Sequence, residues 1–316
     1  MSPKANFFDS SNFSHHIAPA HADDNTSHTN EDYFLSKFDI LESIGSGSFA
    51  EVYKVCKVDD ESSISCVKKS KSPYSGNLDR YAHTSHHPCR RMKLEEILAL
   101  WAISGHPNCI QILSAWEQSG ILYIETEFCP NGSLLDLINE YSGSQFDEEE
   151  IWDLIEQLSK ALSHIHSKGY IHLDLKPENI LLSSGALSSK FTYKVSDLGL
   201  ARKYLYESTD SHSQQLISDD ITEGDKVYLA PEILSGAISP AADIFSMGLI
   251  ALELAANIEL PSQGDSWQLL RSHSPLNGIS MSGVSRNLQS LIEDMLSLDQ
   301  NLRPSIPAII KIISSR

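Results

Sequence analysis

The chain has 316 residues, of which 41% are hydrophobic, and a formal net charge of −18 at pH 7. This length suffices for about two domains, and the apolar content is ordinary for a soluble globular protein. The negative charge argues against a nucleic-acid-binding protein, which would present a basic surface. No apolar run reaches the ~18 residues of a membrane span, and the five cysteines form no C-x-x-C pair. We therefore expect no membrane association and a reducing compartment.

The order of the predicted elements divides the chain into three parts. Residues 1–33 are rich in Ser, Asn, His and Asp and lack periodic apolar positions, which predicts a disordered tail. Residues 34–130 contain alternating, β-branched segments typical of strands, one helical pattern and an insertion, residues 70–92, that we expect to be flexible. Residues 131–314 are mainly helical, with patterns around 151–165, 241–257, 266–271 and 286–297. Strands followed by helices predict an α+β fold with a small β-rich lobe and a large helical lobe.

A glycine motif opens the strand-rich part. In "IGSGSFAEVYKV", Gly45 and Gly47 are followed by Ala50, where a third glycine could stand. A dinucleotide-binding motif would continue into a helix, whereas the residues that follow here are typical of a strand. The motif therefore predicts a β-hairpin whose backbone N–H groups can approach phosphates closely, because glycine carries no obstructing side chain.

A lysine on the next predicted strand is the second candidate. Lys68 lies in "SISCVKKS", and a glutamate on the following helical pattern could reach back to orient its ammonium group. Glu95 and Glu96 both qualify, and the apolar periodicity does not separate them. We prefer Glu96 because of its spacing to Leu100, which would face the core one turn later.

The stretch "YIHLDLKPENILL" combines three polar groups on a predicted loop. Phosphoryl transfer requires an oriented acceptor hydroxyl, a metal held against the phosphates and neutralised charge on the transferred group. Asp174 can accept the hydroxyl proton or hold the hydroxyl in line, Lys176 can reach the γ-phosphate, and Asn179 offers an oxygen to Mg²⁺. Asp197, in "YKVSDLGLA", adds the hard oxygen ligand that Mg²⁺ prefers.

These motifs, in this order, resemble those of the eukaryotic protein kinases over roughly residues 34–314. The resemblance extends to "LAPEIL", to Asp243 in "ADIFSMG", which in that family anchors the catalytic loop, and to Arg303 in "NLRP", which in that family pairs with the glutamate corresponding to Glu232. It implies ATP and Mg²⁺ as cofactors, with Asn179 and Asp197 as metal ligands. The residues that the resemblance assigns to nucleotide binding are Ile44, Gly45, Gly47, Val52, Lys68, Thr126, Glu127 and Cys129.

Two departures from the family pattern bear on regulation. Leu173 stands where an arginine usually precedes the catalytic aspartate, and that arginine commonly receives a phosphate on the activation segment. Without it, we expect activity that does not depend on such phosphorylation. Leu198 replaces the phenylalanine of D-F-G, and since an aliphatic side chain can fill the same apolar position, we expect no loss of activity.

Further segments resemble the Wee family, whose members phosphorylate the glycine-rich loop of the mitotic cyclin-dependent kinase and inhibit it. "DLKPEN" itself is similar to a serine/threonine-kinase loop, but "ILSAWEQSGILYIETEFCPNGSL", "TEGDKVYLAPE" and "NIELPSQGDSWQLLR" resemble Wee kinases. The resemblance implies transfer to a tyrosine and an acceptor site that includes Glu223, Gly224 and Asp225. It also implies a cyclin-bound kinase as partner, a monomeric enzyme of the soluble Wee type, and action in the nucleus, with the cytoplasm as a further compartment.

Two alternatives remain open at the level of sequence. One is a serine/threonine kinase of another branch, such as the kinases that act on a translation initiation factor. The other is a pseudokinase that binds nucleotide as a scaffold, against which the intact Lys68, Asp174, Asn179 and Asp197 argue. The choice between tyrosine and threonine as acceptor cannot be made from the motifs.

Overall fold

A computed structural model describes most of the chain. The described residues are 6–7, 33–47, 49–71, 88–141, 145–185, 190–204, 226–272, 276 and 278–316. The chain divides into two compact units. The first comprises Met1–Ser104 and Ile110–Phe128, and the second comprises Gly105–Cys109 and Cys129–Arg316.

The first unit is built on one antiparallel sheet with two helices in its described part. Its six strands are arranged in the order β1-β5-β6-β4-β3-β2. The elements are β1 (Asn6–Phe7), α1 (Tyr33–Lys37), β2 (Phe38–Ser46), β3 (Ala50–Lys57), β4 (Asp60–Ser70), α2 (Pro88–Ile103), β5 (Ile112–Gln118) and β6 (Ile121–Glu127).

An aromatic cluster covers one region of this sheet. Phe34 of α1 and Phe38 of β2 pack with Trp116 and Tyr123, whose ring centroids are 5.1 Å apart, and all four side chains are buried. Large aromatic side chains remove much apolar surface from water, so this cluster fastens the segment before β2 onto the strands.

The second unit is mainly helical in its described part. Its elements are α3 (Leu134–Tyr141), α4 (Glu148–Ser167), β7 (Tyr170–Ile171), a 3₁₀ helix (Pro177–Asn179), β8 (Ile180–Ser184), β9 (Phe191–Val195), β10 (Arg202–Lys203), a second 3₁₀ helix (Pro231–Ser235), α5 (Ala241–Ala256), α6 (Gly264–Leu269), α7 (Arg286–Met295) and α8 (Ile306–Ser314). Helix α5 is the centre of this unit, because every residue from Ala242 to Ala255 is buried. A helix that is apolar on all sides is typical of a buried core position.

The predicted α+β class, strands first and helices after, is confirmed. Helix α4 ends at Ser167, and Gly169 lies just beyond it with a φ of +78° that glycine adopts without strain. Among the described residues, each helix is too short or too polar to cross a lipid bilayer.

The structure differs from the sequence predictions at two segments. Asn6–Phe7, within the segment predicted to be disordered, pair with β5, and residues 1–5 and 8–32 lie outside the described part. Helix α2 begins at Pro88, so residues 88–92, predicted to end a flexible insertion, are helical. Proline favours this first helical position, because its fixed φ suits the helix and its missing N–H would have no partner there.

Candidate active site

The predicted glycine hairpin is present between β2 and β3. Gly45 pairs with Val52 across the two strands, and Val52 pairs in turn with Lys68 of β4. The turn is closed by the N–H of Gly47, which donates to the carbonyl of Ala50 at 3.0 Å. The register therefore aligns a glycine, a valine and a lysine across three neighbouring strands, so that the hairpin and the lysine lie side by side.

Lys68 forms an ion pair with Glu96, the glutamate that the sequence analysis preferred over Glu95. The Lys68 Nζ atom lies 2.7 Å from Glu96 Oε1, and the glutamate side chain is 9% exposed whereas the lysine side chain is 30% exposed. A charge-assisted hydrogen bond of this length holds the ammonium group in one place. The pair can present a fixed positive charge to phosphate oxygens, which is the role predicted for Lys68.

The other residues assigned to nucleotide binding are distributed along the strand ends. Thr126 and Glu127 end β6, and Cys129 follows as a buried residue at the start of the second unit's main segment. Ile44 lies on β2 with 43% of its surface exposed. The carboxylate of Glu127 accepts a hydrogen bond from the Gln111 N–H at 2.9 Å, which fixes the end of the strand. The role of these residues in nucleotide binding stays a prediction.

The catalytic-loop residues predicted from sequence converge around Asp174. Its Oδ2 atom lies 3.1 Å from Lys176 Nζ and accepts a hydrogen bond from Asn179 Nδ2 at 2.8 Å. Burial raises the pKa of the Asp174 carboxyl, an effect that the charges of Lys176 and His172 oppose and that of Asp197 reinforces. A carboxylate held in place with a raised pKa is suited to receive a proton from a hydroxyl.

The donor set beside Asp174 fits a magnesium ion, which Asn179 and Asp197 would hold and which would supply positive charge to phosphate oxygens. Asn179 uses its amide nitrogen for Asp174 Oδ2 and for the Asp174 carbonyl, both at 2.8 Å, so its oxygen is the atom that it can offer to a cation. Asp197 adopts a φ of +55°, uncommon outside glycine, and its charge acts on Asp174. No group of three or more His, Cys, Asp or Glu able to hold a metal occurs in the described ranges. Mg²⁺ in phosphate sites uses few protein ligands and completes its shell with phosphates and water.

Asp243 holds the backbone of the loop from the buried helix α5. Its Oδ2 atom accepts from the N–H of His172 at 2.9 Å and lies 2.8 Å from His166 Nε2, and its Oδ1 atom accepts from the N–H of Leu173 at 2.9 Å. Burial alone would raise the pKa of this carboxyl, but the hydrogen bonds and charges of His166 and His172 outweigh it and lower the pKa. Asp243 was predicted from the family resemblance, whereas His166 was not predicted as part of the site.

The other residues predicted from the family resemblance lie outside the catalytic loop, and the structure describes only some of them. Glu223, Gly224 and Asp225, the predicted acceptor site, lie outside the described residues. Glu232 forms a two-pronged ion pair with Arg303, with N–O distances of 2.5 and 2.8 Å, and the arginine side chain is fully buried. Leu198 is buried, as expected of an aliphatic replacement for phenylalanine.

A buried carboxyl near the end of helix α5 was not predicted as part of the site. Glu253 is 8% exposed and accepts a hydrogen bond of 2.6 Å from the hydroxyl of Tyr228. Burial raises the pKa of Glu253 to about 7; the bond from Tyr228 opposes the shift, and the negative charges of Glu178 and Glu259 add to it. The available signal in the sequence was a charged residue within the apolar run of α5.

Glu253 should make the protein's stability depend on pH. Because its pKa is about 7 when folded and 4.5 in an unperturbed chain, the folded state retains the proton longer as pH rises. The stabilisation is therefore full below pH 4.5 and is lost as pH rises through 7. We expect Glu253→Gln, which cannot titrate, to remove this loss. Relative to the variant, the free energy of unfolding of the unchanged protein should fall by on the order of 3 kcal/mol between pH 4.5 and 8, at ~1.36 kcal/mol per pKa unit.

Thermal unfolding midpoints at pH 5 and pH 8 measure this effect. Glu293→Gln, at an exposed position of α7, is the matched control and should follow the unchanged protein at both values. A Glu253→Gln midpoint that runs parallel to that of the unchanged protein would contradict the assignment.

Comparison with known proteins identifies the family to which the chain belongs. The family model described as protein kinase domain matches residues 38–312. A probable protein kinase of Dictyostelium discoideum is 34% identical over 87% of this chain and 72% of that relative.

Two further relatives carry more specific names. The mitosis inhibitor protein kinase wee1 of Schizosaccharomyces pombe is 32% identical over 88% of this chain. The membrane-associated tyrosine- and threonine-specific cdc2-inhibitory kinase of Drosophila melanogaster is 36% identical over 86% of this chain. The alignments span 31% and 46% of the lengths of these two relatives.

Proposed function

The chain belongs to the protein kinase family, and from that membership we propose that it transfers the γ-phosphate of ATP to a tyrosine in the glycine-rich loop of a mitotic cyclin-dependent kinase, thereby inhibiting it. The observation that carries the transfer chemistry is the cluster of Asp174, Lys176 and Asn179 beside Asp197. The choice of acceptor protein is supported by similarity, over 86–88% of this chain, to relatives named for mitotic inhibition.

Each residue of the site is assigned one role in phosphate transfer. Asp174 orients the acceptor hydroxyl and receives its proton, while Lys176, 3.1 Å away, neutralises charge on the transferred group. Lys68, held by Glu96, is assigned to stabilise the phosphates of the nucleotide. Asn179 and Asp197 hold Mg²⁺, which supplies positive charge against the phosphate oxygens when bound. Because this chemistry depends on positioning, the hydrogen bonds among these residues are part of the mechanism.

Acceptor recognition is assigned to Glu223, Gly224 and Asp225. Because a tyrosine hydroxyl lies farther from its own backbone than a serine hydroxyl, the acceptor segment must bind farther from Asp174. Leu173 in place of arginine means that the chain lacks the usual receiver for an activation-segment phosphate, so we propose activity without such phosphorylation. We further propose that the enzyme is a monomer of the nuclear Wee type that acts on a cyclin-bound kinase.

The acceptor prediction is tested with purified protein, Mg-ATP and a catalytically inactive cyclin-dependent kinase bound to its cyclin. We expect phosphate on the tyrosine of its glycine-rich loop, identified by mass spectrometry. The matched acceptor control carries phenylalanine at that tyrosine and should lose the signal. A translation initiation factor offered at the same concentration should be phosphorylated at least about 100-fold more slowly.

Each contrary outcome rejects a defined part of the proposal. Phosphothreonine without phosphotyrosine would reject the tyrosine acceptor, and preference for the initiation factor would favour a serine/threonine kinase of another branch. Nucleotide binding without transfer to any acceptor would indicate a scaffold.

A further inference from the structure

Four consecutive backbone carbonyls, those of residues 226–229, accept hydrogen bonds from side chains. Arg271 donates to the carbonyls of Lys226 at 2.9 Å, Val227 at 2.7 Å and Leu229 at 3.0 Å. Ser246 of α5 donates to the fourth, that of Tyr228, at 2.8 Å. Residues 226–228 are half-buried and Leu229 is buried, and irregular backbone with limited access to water needs such partners. These contacts therefore hold the conformation of the segment.

Trp267 of α6 completes the arrangement. Its indole N–H donates to the carbonyl of Lys226 at 3.0 Å, and its ring lies 3.9 Å from the guanidinium carbon of Arg271. The carbonyl of Trp267 also accepts from Arg271 at 3.2 Å. Burial lowers the pKa of Arg271 to about 10, which leaves it charged at physiological pH. A planar guanidinium can stack flat on a ring while its five in-plane N–H groups reach several carbonyls, a geometry that the compact three-donor ammonium of lysine does not match.

The segment held in this way lies next to two parts of the site. It directly follows residues 223–225, to which acceptor recognition is assigned, and precedes the 3₁₀ helix Pro231–Ser235. Its Tyr228 hydroxyl bonds to Glu253, and the charge of Glu178, in the 3₁₀ helix that contains Asn179, acts on both groups. Residues 226–229 therefore come directly after the residues assigned to acceptor recognition in the sequence, and their Tyr228 feels the charge of Glu178, which is close in sequence to Asp174.

We propose that Arg271, stacked on Trp267, is a positioning residue that fixes residues 226–229, directly after the residues assigned to acceptor recognition, and thereby determines affinity for the protein acceptor without a phosphate on the chain. This inference rests on the proposed function for the location of the acceptor site. In kinases whose activation segment is ordered by phosphorylation, an arginine binds the phosphate and so fixes the loop. Here the Arg271 guanidinium, a buried positive group, would fix loop backbone through hydrogen bonds to carbonyls instead.

Steady-state kinetics of Arg271→Lys tests the proposal. We expect the KM for the cyclin-dependent-kinase acceptor to rise about tenfold or more, because a lysine retains the charge and loses most of the carbonyl contacts. The KM for ATP should change by less than about twofold. Arg286→Lys, at an exposed position of α7, is the matched control and should leave both constants unchanged. A merely structural role would instead lower kcat through loss of folded enzyme and leave both KM values unchanged, which would overturn the proposal.

A second measurement does not depend on the identity of the acceptor. Hydrogen–deuterium exchange of the amides of residues 226–230 should accelerate about tenfold or more in Arg271→Lys, while exchange in the catalytic loop, residues 172–180, stays as in the unchanged protein. Trp267→Phe keeps an aromatic ring and removes the N–H donor, so it should shift exchange in the same direction by a smaller factor. Unaltered exchange at residues 226–230 in both variants overturns the inference, whereas failure of the unchanged enzyme to phosphorylate the acceptor rejects only the proposed function.

Discussion

Replacing Asp174 with asparagine will abolish phosphate transfer while leaving nucleotide binding close to that of the unchanged protein. The two side chains have nearly the same shape, but an amide cannot take the proton of an acceptor hydroxyl. Because Asp174 Oδ2 contacts both Lys176 Nζ and Asn179 Nδ2, the substitution also weakens the contacts that fix these neighbours. We expect kcat to fall at least about 10³-fold, within the range of a lost proton acceptor.

Single-turnover transfer and equilibrium binding of a fluorescent ATP analogue measure the two quantities separately. Asp294→Asn, at an exposed position of α7, is the matched control for the loss of one negative charge and should retain full activity. If tyrosine phosphorylation survives in Asp174→Asn, Asp174 is not the proton acceptor, and Asp197 becomes the candidate for that role.

The sequence allowed prediction of those features of the site that depend on short spacing along the chain. Asp174, Lys176 and Asn179 lie within six residues of each other, so a single loop brings them together. Lys68 and Glu96 are 28 residues apart, but each lies on an element with a clear period, and helix spacing was enough to prefer Glu96 over Glu95. The α+β class followed in the same way from the change of hydrophobic period.

The features that were missed depend on contacts between distant positions. Arg271 is 45 residues from Lys226, whose carbonyl it binds, and nothing in the local pattern around either residue indicates the pair. Backbone carbonyls have no residue identity, so a side chain that recognises them leaves no complementary signal in the sequence. The pairing of Asn6–Phe7 with β5 is a similar case, since two residues are too few to show alternation.

Replacing Asp243 with asparagine should weaken the catalytic loop, although the residue does not touch the reacting groups. Its two oxygens accept from the N–H groups of His172 and Leu173, one each. Asparagine has one oxygen, so in either orientation its amide nitrogen faces one of these backbone N–H groups. A buried donor left unsatisfied costs about 1–3 kcal/mol, and the loss of the charge beside His166 adds to this. Leu173 has a φ of +63°, a strained conformation that these bonds maintain.

We therefore expect a lower unfolding temperature and a kcat reduced about 100-fold, because a displacement of about 1 Å at a catalytic group has an effect of this size. His166→Gln, which removes the ring and retains both backbone bonds to Asp243, should lose much less activity. Circular dichroism gives the unfolding temperature, and single-turnover kinetics at a temperature where all variants are folded gives the rate. Full turnover in a folded Asp243→Asn protein would mean that the loop keeps its conformation without the carboxylate. The strain at Leu173 would then have to be balanced by the loop's own hydrogen bonds, such as those from Asn179 to Asp174.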